Sequence, residues 1–181
     1  KISYQHYPRI SLTIRDGSFF KNPVLTEAMA HIKKTGGNLN LVGLLTEGNV
    51  HASLEHLEAI LKFVKDNNLT EKTYLHLFTD GVDGPPKGAE KLLEYVNGFK
   101  IATICGRFYA MDKEKADRAK IAYETLTGQT KPSEFGSAAE ALQDYYKRKY
   151  TDEYIDPQLL DPLGKIKEGD SAIFFNFRED R

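Results

Sequence analysis

Three apolar segments of this sequence each end in charged or glycine-rich residues. Residues 74–78 run into Asp80 and Asp83, residues 101–105 run into Gly106 and Arg107, and residues 174–177 run into Arg178 and Arg181. In open α/β sheets, ligands bind beyond the carboxyl ends of the parallel strands. A guanidinium group there can bind phosphate or carboxylate through two hydrogen bonds. The pattern predicts an α/β domain that handles a small anion.

Asp80 and Asp83 flank Gly81 and Val82 in the first of these ends. The glycine permits a tight backbone path, which would keep both carboxylates close to the end of the strand. One of the two acids could then serve as a base in proton transfer. The alternative is that both only make Asx-turn hydrogen bonds that cap the loop, and their spacing leaves both interpretations open.

The cations of the second and third ends are the candidates for anion binding. Arg107 is favoured over Lys113, because a planar guanidinium can make two hydrogen bonds to one ligand. The alternative for Arg107 is a structural ion pair with Asp80 or Asp112. Arg178 and Arg181 would lie on opposite sides of an extended strand. A turn at this point would bring the two guanidinium groups together to bind a phosphate. If the natural chain ended at Arg181, this segment would instead fray.

His51 and Cys105 are the remaining candidates. His51 lies between a glycine-containing turn and a helix, whose first amides favour an anion, so it could donate a hydrogen bond to a substrate oxygen. The alternative is a solvated loop histidine. Cys105 ends an apolar strand and is predicted to be a buried thiol with a raised pKa rather than a nucleophile. No histidine has a partner at a metal-binding spacing, so the chain predicts no metal site of its own.

Apolar spacing and capping residues predict the elements that position these side chains. Strands are predicted at 39–45, 73–78, 100–105 and 171–177, and helices at 8–16, from Asn22-Pro23 to Gly36, over 54–67, after Pro85-Pro86, and over 112–127 and 133–149. Alternating strands and helices with short connections imply right-handed crossovers and a largely parallel sheet. We therefore predict a single three-layer α/β domain over residues 1–181.

Composition narrows the classes of function. With 25 Lys+Arg against 26 Asp+Glu, the net charge of -1 provides no long-range attraction for nucleic acid or an anionic membrane. A single cysteine and the lack of an apolar run near 18 residues favour a soluble cytoplasmic protein. The sequence starts at Lys1 and stops within a motif, so we expect a piece of a longer protein.

Several motifs occur together in a specific order along the chain. They are Arg9-Ile10, Asp16-Gly17-Ser18-Phe19-Phe20-Lys21-Asn22, Gly48-Asn49-Val50-His51, Asp80-Gly81-Val82-Asp83, Gly106-Arg107-Phe108-Tyr109-Ala110-Met111-Asp112, Asp117-Arg118, Asp152-Glu153-Tyr154 and the segment from Phe175 to Arg181. In this order the chain resembles, almost from end to end, the phosphotransferase domain of the cofactor-independent, metal-dependent phosphoglycerate mutases.

The resemblance implies an isomerase of glycolysis and gluconeogenesis. A serine on a separate alkaline-phosphatase-like domain of the same parent chain would take the phosphoryl group from 3-phosphoglycerate and return it to give 2-phosphoglycerate. This domain would hold the glycerate meanwhile. That other domain would also bind two Mn²⁺ or Mg²⁺ ions, so the chain alone would be inactive. A monomer is expected.

The resemblance also assigns roles to residues. The positions that would contact the substrate are His51, Asp83, Arg107, Lys113, Arg178 and Arg181, with Asp83 the candidate for proton transfer. The chain departs from the family pattern at Val82 and Lys113, where arginines are usual, and at Asn49, Ala52 and Ser53. These departures could relax affinity or alter the substrate. They keep open the alternative of a diverged, non-catalytic module that binds a phosphorylated small acid.

Overall fold

The computed structural model of the chain describes residues 5–111 and 116–178. The strands are β1 (Leu39–Leu45), β2 (Thr73–Thr79), β3 (Lys100–Gly106), β4 (Gln158–Leu159) and β5 (Ser171–Phe174). The helices are α1 (His6–Arg15), α2 (Pro23–Thr35), α3 (Leu54–Asp66), α4 (Ala89–Leu92), α5 (Arg107–Ala110), α6 (Ala116–Leu126) and α7 (Ala138–Lys147). The predicted α/β class is confirmed.

The strands form one sheet in the order β4-β3-β2-β1-β5. All neighbours are parallel except β4, which runs antiparallel to β3 at one edge. In this register Thr79, the last residue of β2, pairs with Gly106, the last residue of β3. Asp80 and Arg107 therefore leave the sheet side by side, which is how the topology builds the site.

The middle of the sheet is buried, since every residue of β1 and β2 is buried. Successive residues of a strand point to opposite faces of the sheet. On β3, Ile104 packs in a cluster with α7, while the next residue, Cys105, belongs to the larger cluster that includes α2 and α3. Helices thus cover both faces, as the three-layer prediction requires.

Local capping signals explain α2. The side chain of Asn22 accepts hydrogen bonds from the backbone N–H groups of Val24 and Leu25, and Pro23 occupies the first helical position. Gly36 ends the helix with φ 73°, a left-handed conformation that glycine adopts without strain. Both ends agree with the prediction, because caps depend on neighbouring residues alone.

The last strand is shorter than predicted, since β5 ends at Phe174 and not at Phe177. The backbone N–H of Phe175 still donates to the carbonyl of Val42 at 3.0 Å. At the next step, however, the side chain of Asn176 accepts from the backbone N–H of Leu44 at 2.9 Å, where a parallel strand would offer a carbonyl. A side-chain bond therefore replaces the ladder and lets the chain turn away from β1.

Two helices also begin later than predicted. α7 starts at Ala138 and not near Ser133, because Ser137 is its N-cap and accepts from the backbone N–H of Glu140. α4 starts at Ala89, three residues beyond Pro86, and its first amide is bound by a distant side chain described below. The residues 112–115, where the helix after Arg107 was predicted to begin, lie outside the described part of the chain. No helix of that part is long and apolar enough to cross a membrane.

Candidate anion-binding site

Arg107 lies at the centre of a charged cluster at the ends of β2 and β3. Its side chain is only 7% exposed. Its Nη1 donates to Oδ1 of Asp80 at 2.6 Å and to Oδ2 of Asp83 at 2.7 Å. These hydrogen bonds raise the pKa of Arg107 despite the opposing effect of burial, so the guanidinium remains charged. The structural ion pair weighed for Arg107 is therefore present with Asp80, and it also includes Asp83.

Asp80 is the anchored acid of the cluster. Its Oδ1 also accepts from the backbone N–H groups of Val82 at 3.2 Å and Asp83 at 3.0 Å, while Thr46 donates its hydroxyl to Oδ2. Burial opposes ionisation, but the hydrogen bonds outweigh burial and lower the pKa of Asp80. For Asp80 the Asx-turn alternative is confirmed, and a carboxylate so fully bound is a weak base.

Asp83 occupies a different position from Asp80. Its side chain is 18% exposed, against 5% for Asp80. Oδ2 of Asp83 lies 3.4 Å from Nε2 of His51 in addition to its bond with Arg107. Gly48 makes this approach possible, because a Cβ at that position would lie 2.5 Å from the carbonyl oxygen of Asp83. Asp83 thus bridges the loop before α3 and the end of β3.

His51 is buried with 3% exposure, so the alternative of a solvated loop histidine was wrong. The loop folds back because Phe177, beyond the end of β5, donates its backbone N–H to the carbonyl of His51 at 2.8 Å. The same bond brings the next residue, Arg178, to the rim of this loop. The side chain of Arg178 is exposed and lines a shallow depression with Asn49 and Val50.

The structure therefore brings together His51, Asp83 and Arg107, with Asp80 as the anchor beneath them, and places Arg178 at the rim. Lys113 and Arg181 lie outside the described residues. Two carboxylates face a single guanidinium in the cluster. The described cluster is therefore not positively charged, whichever form His51 takes. Binding of an anion must draw on cations at the rim, while the cluster itself is suited to hydroxyl groups.

Burial decides the reactivity expected of Cys105. Cys105 is buried, and burial raises the pKa of its thiol, as predicted for a core residue. Among the described residues, no group of three or more His, Cys, Asp or Glu side chains could hold a metal ion. The nearest acids, Asp80 and Asp83, already share the guanidinium of Arg107, so the described site does not fit a divalent cation.

Two residues of the site were missed from the sequence. Thr46 directly follows β1 and donates to Asp80, and Asp152 binds both ends of the loop that follows β2. Thr46 carries no signal, since threonine after a strand is common. Asp152 belongs to one of the ordered motifs, which identified the segment without a role for it.

The chain is similar to known proteins over nearly its whole length. A family model described as "BPG-independent PGAM N-terminus" matches residues 10–181. Among curated proteins, the chain is 41% identical over 186 residues to the 2,3-bisphosphoglycerate-independent phosphoglycerate mutase of Acholeplasma laidlawii. It is 43% identical over 194 residues to 2,3-bisphosphoglycerate-independent phosphoglycerate mutase 1 of Methanosarcina barkeri. Both alignments cover 100% of this chain but only 36% and 37% of the relatives.

Among solved structures, the chain is similar to Leishmania mexicana phosphoglycerate mutase, which was crystallised at low cobalt concentration. The TM-score is 0.88 at 26% identity, and the match covers 100% of this chain and 36% of the other. The chain thus spans little more than a third of the length of the proteins that it matches.

Proposed function

Because this chain belongs to the family of BPG-independent phosphoglycerate mutases, we propose that it is the substrate-holding domain of such an isomerase. The enzyme would interconvert 3-phosphoglycerate and 2-phosphoglycerate. The observation that carries this proposal is the contact of Asp83 with both His51 and Arg107 beyond the ends of three neighbouring parallel strands, β1, β2 and β3. That is the place where open α/β sheets bind ligands.

Within this proposal the cluster holds the glycerate part of the substrate. Its two hydroxyls exchange the phosphoryl group, and each must lose or gain a proton in turn. Asp83 is suited to that exchange because it is the more exposed of the two acids, and Arg107 and His51 fix its orientation. Asp80 is not suited, because four groups already bind its carboxylate.

The resemblance to the family implies a division of labour with another domain, and the chemistry agrees with it. Phosphoryl transfer depends on positioning and on stabilisation of charge more than on covalent chemistry by the protein. The nucleophilic serine and the two Mn²⁺ or Mg²⁺ ions are assigned to an alkaline-phosphatase-like domain elsewhere in the parent chain. Arg178 at the rim is proposed to bind the phosphate and carboxylate of the substrate. The resemblance to the family assigns the same role to Lys113 and Arg181, which lie outside the described residues.

The experiment is an assay of mutase turnover in the full-length protein with Mn²⁺, comparing Asp83→Asn with the wild type. Turnover should fall by about 10²-fold or more, as expected for loss of a group that moves protons. Asp144→Asn, which changes an exposed acid paired with Arg148 on α7, is the matched control and should keep full turnover. A wild-type protein without mutase activity would refute the proposal.

A second candidate is a non-catalytic module that binds a phosphorylated small acid. Val82 favours it, because this side chain lies 55% exposed between the two acids, where the family usually has an arginine. Calorimetric titration of the chain with 3-phosphoglycerate, wild type against Val82→Arg, separates the candidates. A mutase that lacks one cation should bind more tightly after the change, whereas a module adapted to Val82 should not.

The cellular setting and assembly are also proposals. We propose a cytoplasmic monomer whose partner is the phosphatase-like domain of its own parent chain. Light scattering on the full-length protein measures the mass directly, and a dimeric mass would contradict the monomer. Fractionation of the source cells tests the compartment.

A further inference from the structure

A turn that begins at Asp152 lies between the two loops that carry the cluster. On the β2 side, Thr79 donates its hydroxyl to the carbonyl of Asp152 at 2.6 Å. The backbone N–H of Asp152 donates to the carbonyl of Pro86 at 2.8 Å. Oδ2 of Asp152 accepts from the backbone N–H of Ala89 at 2.9 Å. These three bonds attach both ends of the loop that contains Asp83.

On the β3 side the same turn touches the residue before Arg107. The backbone N–H of Gly106 donates to the carbonyl of Ile155 at 2.7 Å. A Cβ added at Gly106 would lie 2.2 Å from the carbonyl oxygen of Glu153, and one added at Gly81 would lie 2.8 Å from the backbone nitrogen of Glu153. Glycine at both positions lets one turn press against both loops through backbone atoms.

The carboxylate at the start of this turn is buried, and its burial disfavours the ionised form. Asp152 is 1% exposed and also accepts from the hydroxyl of Tyr146. Burial raises the pKa of Asp152 in spite of these hydrogen bonds. A carboxyl group whose pKa is raised by folding loses stabilising effect as the pH rises through that pKa. A well-packed neutral residue would serve a purely structural site at least as well.

We infer that Asp152 is a positioning residue, which fixes the relative placement of Asp83 and Arg107 by tying their two loops to one turn. The inference rests on the proposed function for its consequence in binding, but its geometry does not depend on the identity of the ligand. Asp152 acts on the Asp83 loop through its own bonds to Thr79, Pro86 and Ala89. It acts on the Arg107 loop through the turn that it begins, in which Ile155 accepts from Gly106.

The alternative is that Asp152 only caps α4, a single helical turn. The two interpretations predict different effects of losing Asp152 on the hydrogen bonds of Arg107. If Asp152 only caps α4, its loss lowers stability and leaves Arg107 in place. If Asp152 positions the loops, its loss also disturbs the bonds that Arg107 makes to Asp80 and Asp83.

The test compares Asp152→Asn with the wild type. Asparagine keeps the size of the side chain but has one acceptor oxygen for the two donors from Ala89 and Tyr146. The side-chain NMR signals of the Arg107 guanidinium should shift or broaden. Calorimetry should show weaker binding of 3-phosphoglycerate by about tenfold, the equivalent of one hydrogen bond. The control Asp144→Asn should change neither measurement.

An unchanged Arg107 spectrum with unchanged affinity in folded Asp152→Asn would overturn the inference, even if the protein unfolds at a lower denaturant concentration. If Asp152→Asn does not fold, Tyr146→Phe replaces it, because it removes one hydrogen bond from Asp152 and keeps the ring. It should move the same signals by less, and no movement would equally overturn the inference. If the wild type does not bind 3-phosphoglycerate, the proposed function fails while the spectrum of Arg107 still decides the role of Asp152.

Discussion

The ends of β2 and β3 and the end of β5 follow the same sequence pattern but form different structures. At β2 and β3, Asp80 and Arg107 leave adjacent, fully paired strands and form a buried ion pair. At β5, an edge strand with one neighbour, the chain turns away after Phe174 and leaves Arg178 exposed. An apolar run ending in charge therefore gives a rigid, hydrogen-bonded site where neighbouring strands end together, and an exposed rim at the edge of the sheet.

Asp80→Ala should produce the largest effect on stability at the rigid end. It leaves the buried guanidinium of Arg107 with Asp83 as its carboxylate partner in the cluster, which should lower the free energy of unfolding by about 3–5 kcal/mol. Denaturant unfolding measures the change. Asp66→Ala, which breaks an exposed pair with Lys62, should cost less than about 1 kcal/mol. Equal losses in the two variants would show that burial does not distinguish the Asp80 pair.

Protonation of Asp80 in acid should lower the free energy of unfolding by part of the loss expected for Asp80→Ala. The pKa of Asp80 is lowered in the folded chain, so its ionisation stabilises the fold above the ordinary value near 3.8. That stability is lost as the pH falls through the lower, folded value. The urea midpoint of the wild type should therefore drop below about pH 4 more steeply than that of Asp80→Asn. Parallel curves would mean that another carboxyl group is responsible.

Asn176→Ala tests how the edge is held. The change leaves the backbone N–H of Leu44, in a buried strand, without the oxygen that it now donates to. The expected loss is roughly 1–3 kcal/mol of unfolding free energy, the penalty for a buried polar group left unbound. Gln143→Ala, on the exposed face of α7, is the comparison and should lie near zero. A loss as large as that of Asp80→Ala would remove the distinction between core and edge.

Arg178→Ala should have the smallest effect on stability, within about 0.5 kcal/mol, because the side chain is exposed. Its effect should appear in binding, as weaker calorimetric affinity for 3-phosphoglycerate. Phosphate attraction at an exposed rim should also fade at high salt, so the same titration at raised ionic strength sharpens the test. A destabilised variant with unchanged affinity would show that the rim is structural.

Local signals in the sequence predicted most of the fold. Asn22 and Gly36 mark the two ends of α2, because capping depends on adjacent residues. The apolar runs of β1, β2 and β3 indicated buried strands. The end of β5 was mispredicted, because periodicity does not reveal that the side chain of Asn176 replaces a strand hydrogen bond.

The site was predictable in its members but not in their division of roles. Spacing could not tell which of Asp80 and Asp83 is anchored, since that depends on Thr46, which lies 34 residues before Asp80. The role of Asp152 could not be predicted from the sequence for the same reason. Its bonds to Thr79 and Ala89 span 73 and 63 residues of sequence.

Cys105 is the single cysteine of the chain, and it lies buried one residue before Gly106. With burial raising the pKa of its thiol, a thiol-reactive dye meets almost no thiolate while the sheet is closed. Modification then requires the layer packed over this face of the sheet to open, so the labelling rate measures how often the core around Cys105 opens locally. Cys105 is thus a natural probe of local unfolding at this point, and no cysteine needs to be introduced.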